Sequence, residues 1–229
     1  MQPAAPSHSA LPGRGYIACL TRRSADKLAP LVARIQAQGG SAYGFASDAR
    51  KEDEVVELIA KIEHDIAPIA VAVFNVGGNV RFGITETTER VYRKVWEMGC
   101  YAGFLVGREV AKAMLPRKQG TILFTGATAS LRGSAGFAAF AGAKHGLRAL
   151  AQSMARELGP QGIHVGHVVI DGAIDTQFIQ ELFPARYALK SEDGILDPDA
   201  IAENYWQLHQ QPRNEWTHEL DVRPWIEKW

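Results

Sequence analysis

The chain has 229 residues, 46% of them hydrophobic and 22% charged, which excludes a disordered or fibrous class and sets one globular domain with a sizeable core as the expectation. Lys plus Arg and Asp plus Glu number 25 each, so no net field favours nucleic acid or an anionic membrane surface, and small molecules or other subunits are the expected partners. The two cysteines, Cys19 and Cys100, lack metal-ligand or redox spacing and read as reduced, buried thiols.

The opening "MQPAAPSHSALPGRG" has no apolar run long enough for a signal peptide, and no stretch approaches a membrane span, so a cytoplasmic protein is expected. Short apolar, β-branched runs then alternate with amphipathic patterns: "GYIACLT" before a helix over Ser24 to Gln38, "IAVAVF" before one over Glu89 to Met114, "TILFTG" before one over Phe137 to Leu158, and "IHVGHVVI". Such alternation predicts a parallel sheet covered on both faces. Ser24 is the expected cap of the first helix, with Gly39 and Gly40 ending it; a further helical segment starts acidic at "DARKEDE" and stops at Pro68. From Ile174 to Pro198 the apolar spacing is irregular, as in a lid or binding loop, and another helix is expected near Ala200.

In doubly wound sheets ligands bind beyond the carboxyl ends of the strands. Here those ends carry Arg22 and Arg23 in "CLTRR", Asp48 and Ala49 in "FASDA", Asn75, Gly77 and Gly78 in "VFNVGG", and the small residues of "FTGATAS". Small residues let a ligand approach the backbone closely, although turns need them too.

The order of these pieces resembles the short-chain dehydrogenase/reductase family, single-domain Rossmann oxidoreductases that use NAD or NADP, from about Gly15 to the C-terminus. "VFNVGG" looks like the family's "NNAG" turn, "FTGATASLRG" like the strand carrying its catalytic Ser, "FAGAK" like its Tyr and Lys helix, and "IDGAIDT" like the segment bordering the nicotinamide, which places Ile174 and Thr176 beside that ring. The family joins Asn, Ser, Tyr and Lys, with Tyr moving the proton and Ser polarising the carbonyl. In this chain Gly99 stands at the Asn position, Ala127 at the Ser position and Phe140 at the Tyr position, and only Lys144 matches. Phenylalanine has no ionisable proton, so general acid help of roughly 10² to 10⁴ in rate is missing. Thr125, Thr128, Ser130, Tyr101 and His145 are the nearby candidates for a relocated donor, each with a local structural alternative.

The resemblance implies that Lys144 bonds the nicotinamide ribose, and that Arg22 and Arg23 meet a 2′-phosphate, favouring NADP; two exposed arginines before a helix are the plain alternative. It also implies a dimer or tetramer built through the helices near 89–115 and 137–159. Trp206, Trp216, Trp225 and Trp229, of a residue type enriched at interface centres, read as part of such an assembly, with closure of the domain's own core as the plain alternative. Family members begin with a strand, a Gly-rich turn and a helix that holds the pyrophosphate. Residues 1–14 read instead as an irregular tail, with the Rossmann-like domain over 15–229 and its first strand and helix missing. Upstream of Gly15 a shifted frame permits "DATGSAIAQRFARE" in place of the tail, so a frameshifted remnant is one explanation. A sheet without its central first strand leaves backbone groups unpaired, at about 1 to 3 kcal/mol each if buried, and predicts reduced stability and weak or lost dinucleotide binding. Three functions follow: an oxidoreductase with impaired catalysis, a pseudoenzyme scaffold or oligomerisation partner, or a truncated product without function.

Overall fold

The eight residues of the strand Ile163–Ile170, all buried, are the spine of the protein, and a computed structural model describes the chain over residues 15–228 around it. A strand buried along its whole length needs cover on both faces, which a parallel sheet with flanking helices supplies. In chain order the strands are β1 (Ile17–Arg22), β2 (Ser41–Ala46), β3 (Val71–Phe74), β4 (Gly120–Thr125), β5 (Ile163–Ile170) and β6 (Glu219–Val222). The longer helices are α1 (Ala29–Ala37), α2 (Glu52–Asp65), α3 (Glu89–Trp96), α4 (Ala102–Met114) and α5 (Ala138–Leu158). Beyond β5 come two short helices, α6 (Gln177–Leu182) and α7 (Pro184–Tyr187), then α8 (Pro198–Gln210).

Successive residues of β4 point to opposite faces. Phe124 therefore packs with Phe74, Val110, Leu147 and Met154 under α4 and α5, whereas Leu123 packs with Val168, Ile201, Tyr205 and Leu208 under α8. A separate cluster of Leu20, Leu28, Ile35 and Ala42 closes α1 on β1 and β2.

All pairings are parallel, and among the described residues they form two sheets, β1–β2 and β3–β4–β5–β6. Among the described residues β1 and β3 are both edges. The tail 1–14, and any frameshifted origin of it, lies outside the described residues. Across the gap, Tyr16 Oη lies 2.9 Å from Nε2 of His209 on α8, whose Nδ1 lies 2.8 Å from the Thr121 hydroxyl on β4. Arg117 reaches across from the end of α4 to Glu63 on α2 at 2.6 Å.

Local differences from the sequence expectation have physical causes. The first helix opens as a 3-10 turn over Ala25–Leu28, Ser24 makes no side-chain capping bond, and the α-helical part starts only where Pro30 fits its first turn. Gly39 ends the helix region at φ +81, a conformation that glycine adopts without a Cβ clash. Cys19 and Cys100 are free thiols but half-buried rather than buried. β6 was not anticipated, and Ile174–Pro198 is partly helical rather than an irregular loop. Trp216 stacks on His164 at 5.0 Å and Trp206 meets Tyr16 edge-on at 5.7 Å, so both pack on their own domain, whereas Trp225 is 77% exposed; Trp229 lies outside the described residues.

Candidate active site

Lys144 sits at the centre of the site. It lies on the buried face of α5, 3% exposed, and its Nζ donates to the carbonyl of Thr125 at 2.7 Å and to that of Val76 at 3.3 Å. Those carbonyls end β4 and follow β3, so the amine stands at the carboxyl edge of the sheet, where ligands of α/β folds bind. Burial pulls its pKa down to about 8. A solvated surface lysine is thereby ruled out as its description.

Phe140 lies one turn earlier on α5, half-buried, with its ring centroid 5.9 Å from Nζ. The ring offers a cation–π contact and no proton. Ala127 is half-buried in the loop after β4, and its N–H donates to Ser130 Oγ at 3.1 Å. Gly99 is buried in a π-helical turn, Glu97–Tyr101, that joins α3 to α4. A Cβ there would lie 3.0 Å from the Ala143 Cβ, so any side chain would press on α5. The π turn, a frequent marker of functional sites, is present while the side chain is absent.

The other hydroxyls nearby have partners of their own. Thr125 Oγ1 bonds Tyr205 Oη at 2.7 Å on the far face, Thr128 donates to Asp171, and Ser130 is fully buried. His145 is exposed and its ring sits 2.9 Å from the Ala141 carbonyl; Tyr101 stacks on Trp96 at 5.9 Å.

The remaining positions frame the cleft. Gly77 is exposed, Asn75 half-buried, and Gly78 buried under Met98, where a Cβ would meet the methionine methyl at 3.1 Å. Arg22 and Arg23 are exposed at the end of β1. The Asp48 carboxylate is taken by Arg50, with bonds of 2.8 and 2.5 Å, and this pairing lowers its pKa to about 2. Asp48 and Arg50 line an open pocket of about 420 Å³ with Lys51, Trp96, Glu97 and Tyr101, while Ala49 packs against the main core. Ile174 bridges to Leu196, and Thr176 caps α6 by accepting from the Ile179 N–H at 3.3 Å. No glycine-rich turn of the kind that holds a pyrophosphate occurs among the described residues.

One feature escaped the sequence reading. His167 on β5 is fully buried, and its Nδ1 lies 2.9 Å from Glu219 on β6, which is gripped by both arms of Arg148 at 2.7 and 2.6 Å. Arg148 is one turn beyond Lys144 on the same face of α5. Burial, foremost, and then the nearby Lys144 and Arg148 charges push the His167 pKa down to about 4, against the pull of Glu219. With Nδ1–H donated to the carboxylate, Nε2 presents a lone pair and has no partner among the described residues. It points at Gly126, where a Cβ would come within 2.5 Å. The signal was a histidine inside an apolar run with a glycine just past the end of the facing strand, but neither residue carried a motif.

Residues 9–186 match the family described as short chain dehydrogenase. The crystal structure of a short-chain dehydrogenase from Rhodopseudomonas palustris is 50% identical and superposes with a TM-score of 0.81, covering 96% of this chain and 92% of that one. A 2-dehydro-3-deoxy-D-gluconate 5-dehydrogenase of Formosa agariphila is 31% identical over 145 residues, which are 63% of this chain and 55% of the relative; the chain thus matches just over half that enzyme's length. A metagenomic short-chain oxidoreductase solved in complex with NADP shares the fold at 24% identity and a TM-score of 0.79, over 98% of this chain and 94% of that one. The match across most of the chain makes this protein a member of the short chain dehydrogenase family.

Proposed function

We propose that the protein is a nicotinamide-dinucleotide-binding oxidoreductase of this family, with NADP favoured over NAD, in which hydride transfer to or from a small hydroxy or carbonyl compound is impaired. The observation that carries this reading is Lys144: it is enclosed at the carboxyl edge of β3 and β4, while Gly99, Ala127 and Phe140 around it bear no hydroxyl or amide. When bound, the dinucleotide would supply or accept the hydride. The chain's own residues do the rest: Lys144 holds the nicotinamide ribose, Ile174 and Thr176 border the ring, and Arg22 and Arg23 meet the 2′-phosphate. Asp48, Ala49, Asn75, Gly77 and Gly78 line the nucleotide's path. Without a phenol, the proton must come from water or from Lys144 itself, which limits the rate. Sugar acids of the kind named for the Formosa relative are the first substrates to try.

Calorimetry with NADP, and NAD as control, tests the binding half. Micromolar or tighter NADP binding is expected of a version carrying a strand–turn–helix segment before Gly15, and weaker or no binding of the 229-residue chain. Tight binding by the chain as it stands would show that the described residues need no glycine-rich phosphate turn. Phe140→Tyr combined with Ala127→Ser in the extended version tests the catalytic half, with a gain of roughly 10²-fold or more in hydride transfer expected.

A second reading, a scaffold that pairs with copies of itself or with active subunits, draws support from α3 and α4. Tyr92, Trp96 and Phe104 are 44%, 41% and 39% exposed there, and aromatic residues are enriched at interface centres. Light scattering that finds a monomer at working concentration would end that reading. No helix among the described residues is long and apolar enough to cross a membrane.

A further inference from the structure

The amino edge of the main sheet, opposite the edge that carries Lys144, holds a cleft of about 520 Å³ between the starts of β3, β4 and β5 and the end of α8. That size suits a small organic molecule. The described residues lining it include two arginines, two histidines and three glutamines, but no aspartate or glutamate. Three carbonyls around it are already taken: Arg117 donates to that of Ile69 at 3.3 Å, Arg213 to that of Lys118 at 2.7 Å, and Trp216 Nε1 to that of Gln211 at 3.3 Å. What remains is rich in donors. Arg117 is neutralised by Glu63, whereas Arg213 makes no ion pair with a carboxylate among the described residues, and its bond to Lys118 uses one of its five N–H groups. Its position is nonetheless fixed. Lys118 adopts φ +52 and Gly162 φ +86, and a Cβ at Gly162 would lie 2.3 Å from the Lys118 oxygen and 3.2 Å from Arg213 Nη2. The lining also has a flat, apolar part: Trp216 lies parallel to His164 with ring centres 5.0 Å apart, and Pro68, Ile69 and Pro212 contribute to the walls.

We propose that this cleft is a second binding site, for a small aromatic carboxylate. The planar fork of the Arg213 guanidinium matches the two oxygens of a carboxylate, and a flat ring suits Trp216 and the apolar wall. Burial holds the His164 and His209 imidazoles below their ordinary pKa, so at neutral pH the positive charge of the cleft comes from its arginines. An uncharged amide of the same shape has the ring without the charge, and inorganic phosphate has the charge without the ring. Each engages half of the site. None of the lining residues belongs to the Lys144 edge, so this binding stands whether or not a dinucleotide is held there.

The test titrates sodium benzoate against the full 229-residue chain by saturation-transfer NMR, with benzamide in parallel and inorganic phosphate as a competitor. Benzoate is expected to bind about tenfold more tightly than benzamide, because a hydrogen bond to a charged group adds to the ring contact, and phosphate should displace it poorly. Arg213→Gln should bring benzoate down to the level of benzamide. Ala70→Phe, which adds bulk to the wall without altering charge, should weaken both ligands. Arg213 and Ala70 are exposed, so neither substitution disturbs the core, and Arg90→Gln on the exposed part of α3 should leave both ligands unaffected. Benzamide binding as tightly as benzoate would overturn the proposal, as would displacement of benzoate by an equal concentration of phosphate. So would an unchanged benzoate affinity in Arg213→Gln.

Discussion

At the scale of single residues, the defining fact is a cation placed where the fold disfavours its charge. Lys144 has its pKa lowered from 10.5 to about 8 by burial. Below about pH 8 both folded and unfolded chains carry the proton, and the folded state bears the full cost, a few kcal/mol at 1.36 kcal/mol per unit. Between about 8 and 10.5 the unfolded chain binds more protons, so this group's contribution to stability improves as pH rises. Lys144→Met should therefore be more stable than the parent in urea denaturation at pH 7, with the difference shrinking toward pH 10. A constant difference would mean that the amine is not desolvated as described. Lys144 was legible because "FAGAK" keeps the spacing of one helical turn. The brace of His167, Glu219 and Arg148 was not, because it joins residues 52 and 71 positions apart in the chain and depends on which strands become neighbours.

At the scale of elements, close packing of β4 against β5 depends on Gly126. Gly126→Ala would drive a methyl group into the His167 ring, at a cost of about 1 to 3 kcal/mol of folding free energy, and the penalty should fall in a His167→Ala background. A double-mutant cycle from chemical denaturation reads that coupling, and additive costs would show that the contact is relieved by a small shift. The elements themselves were largely visible in the sequence: β1, β4, β5, α5 and the acidic-led α2 appear where apolar period and end signals put them. β6 was not, because "ELDV" is short and half polar, and what makes it a strand is pairing with β5 and the tie of Glu219 to Arg148 and His167. The first helix began later than expected because Pro30 suits a first turn and not a helix interior.

At the scale of the whole molecule, the described residues form two sheets that do not share a ladder. Cooperativity between them rests on side chains, among them Tyr16, His209 and Thr121, and on the pairing of Arg117 with Glu63. Amides of β1 and β2 should exchange hydrogen faster than those of β4 and β5, since local stability follows buried contacts and ladder neighbours. Tyr16→Phe should cost about 1 kcal/mol and widen that gap, as measured by exchange mass spectrometry. Equal protection of all strands would show that the two sheets open as one unit. How the two sheets hold together was not legible in the sequence, since Tyr16 and His209 lie 193 positions apart.

The turn at Gly99 has a geometric consequence. A π turn holds one residue more than the α-helix it interrupts, and one residue corresponds to a rotation of about 100° around the helix axis. The extra residue acts as a phase shifter between α3 and α4: it sets the angle at which Tyr92 and Trp96 stand relative to Phe104 and Arg108, while keeping Gly99 against Ala143. Deleting a single residue from Glu97–Tyr101 would restore a regular helix and turn the upstream aromatics out of line with the downstream ones, leaving composition almost unchanged and dividing one surface into two.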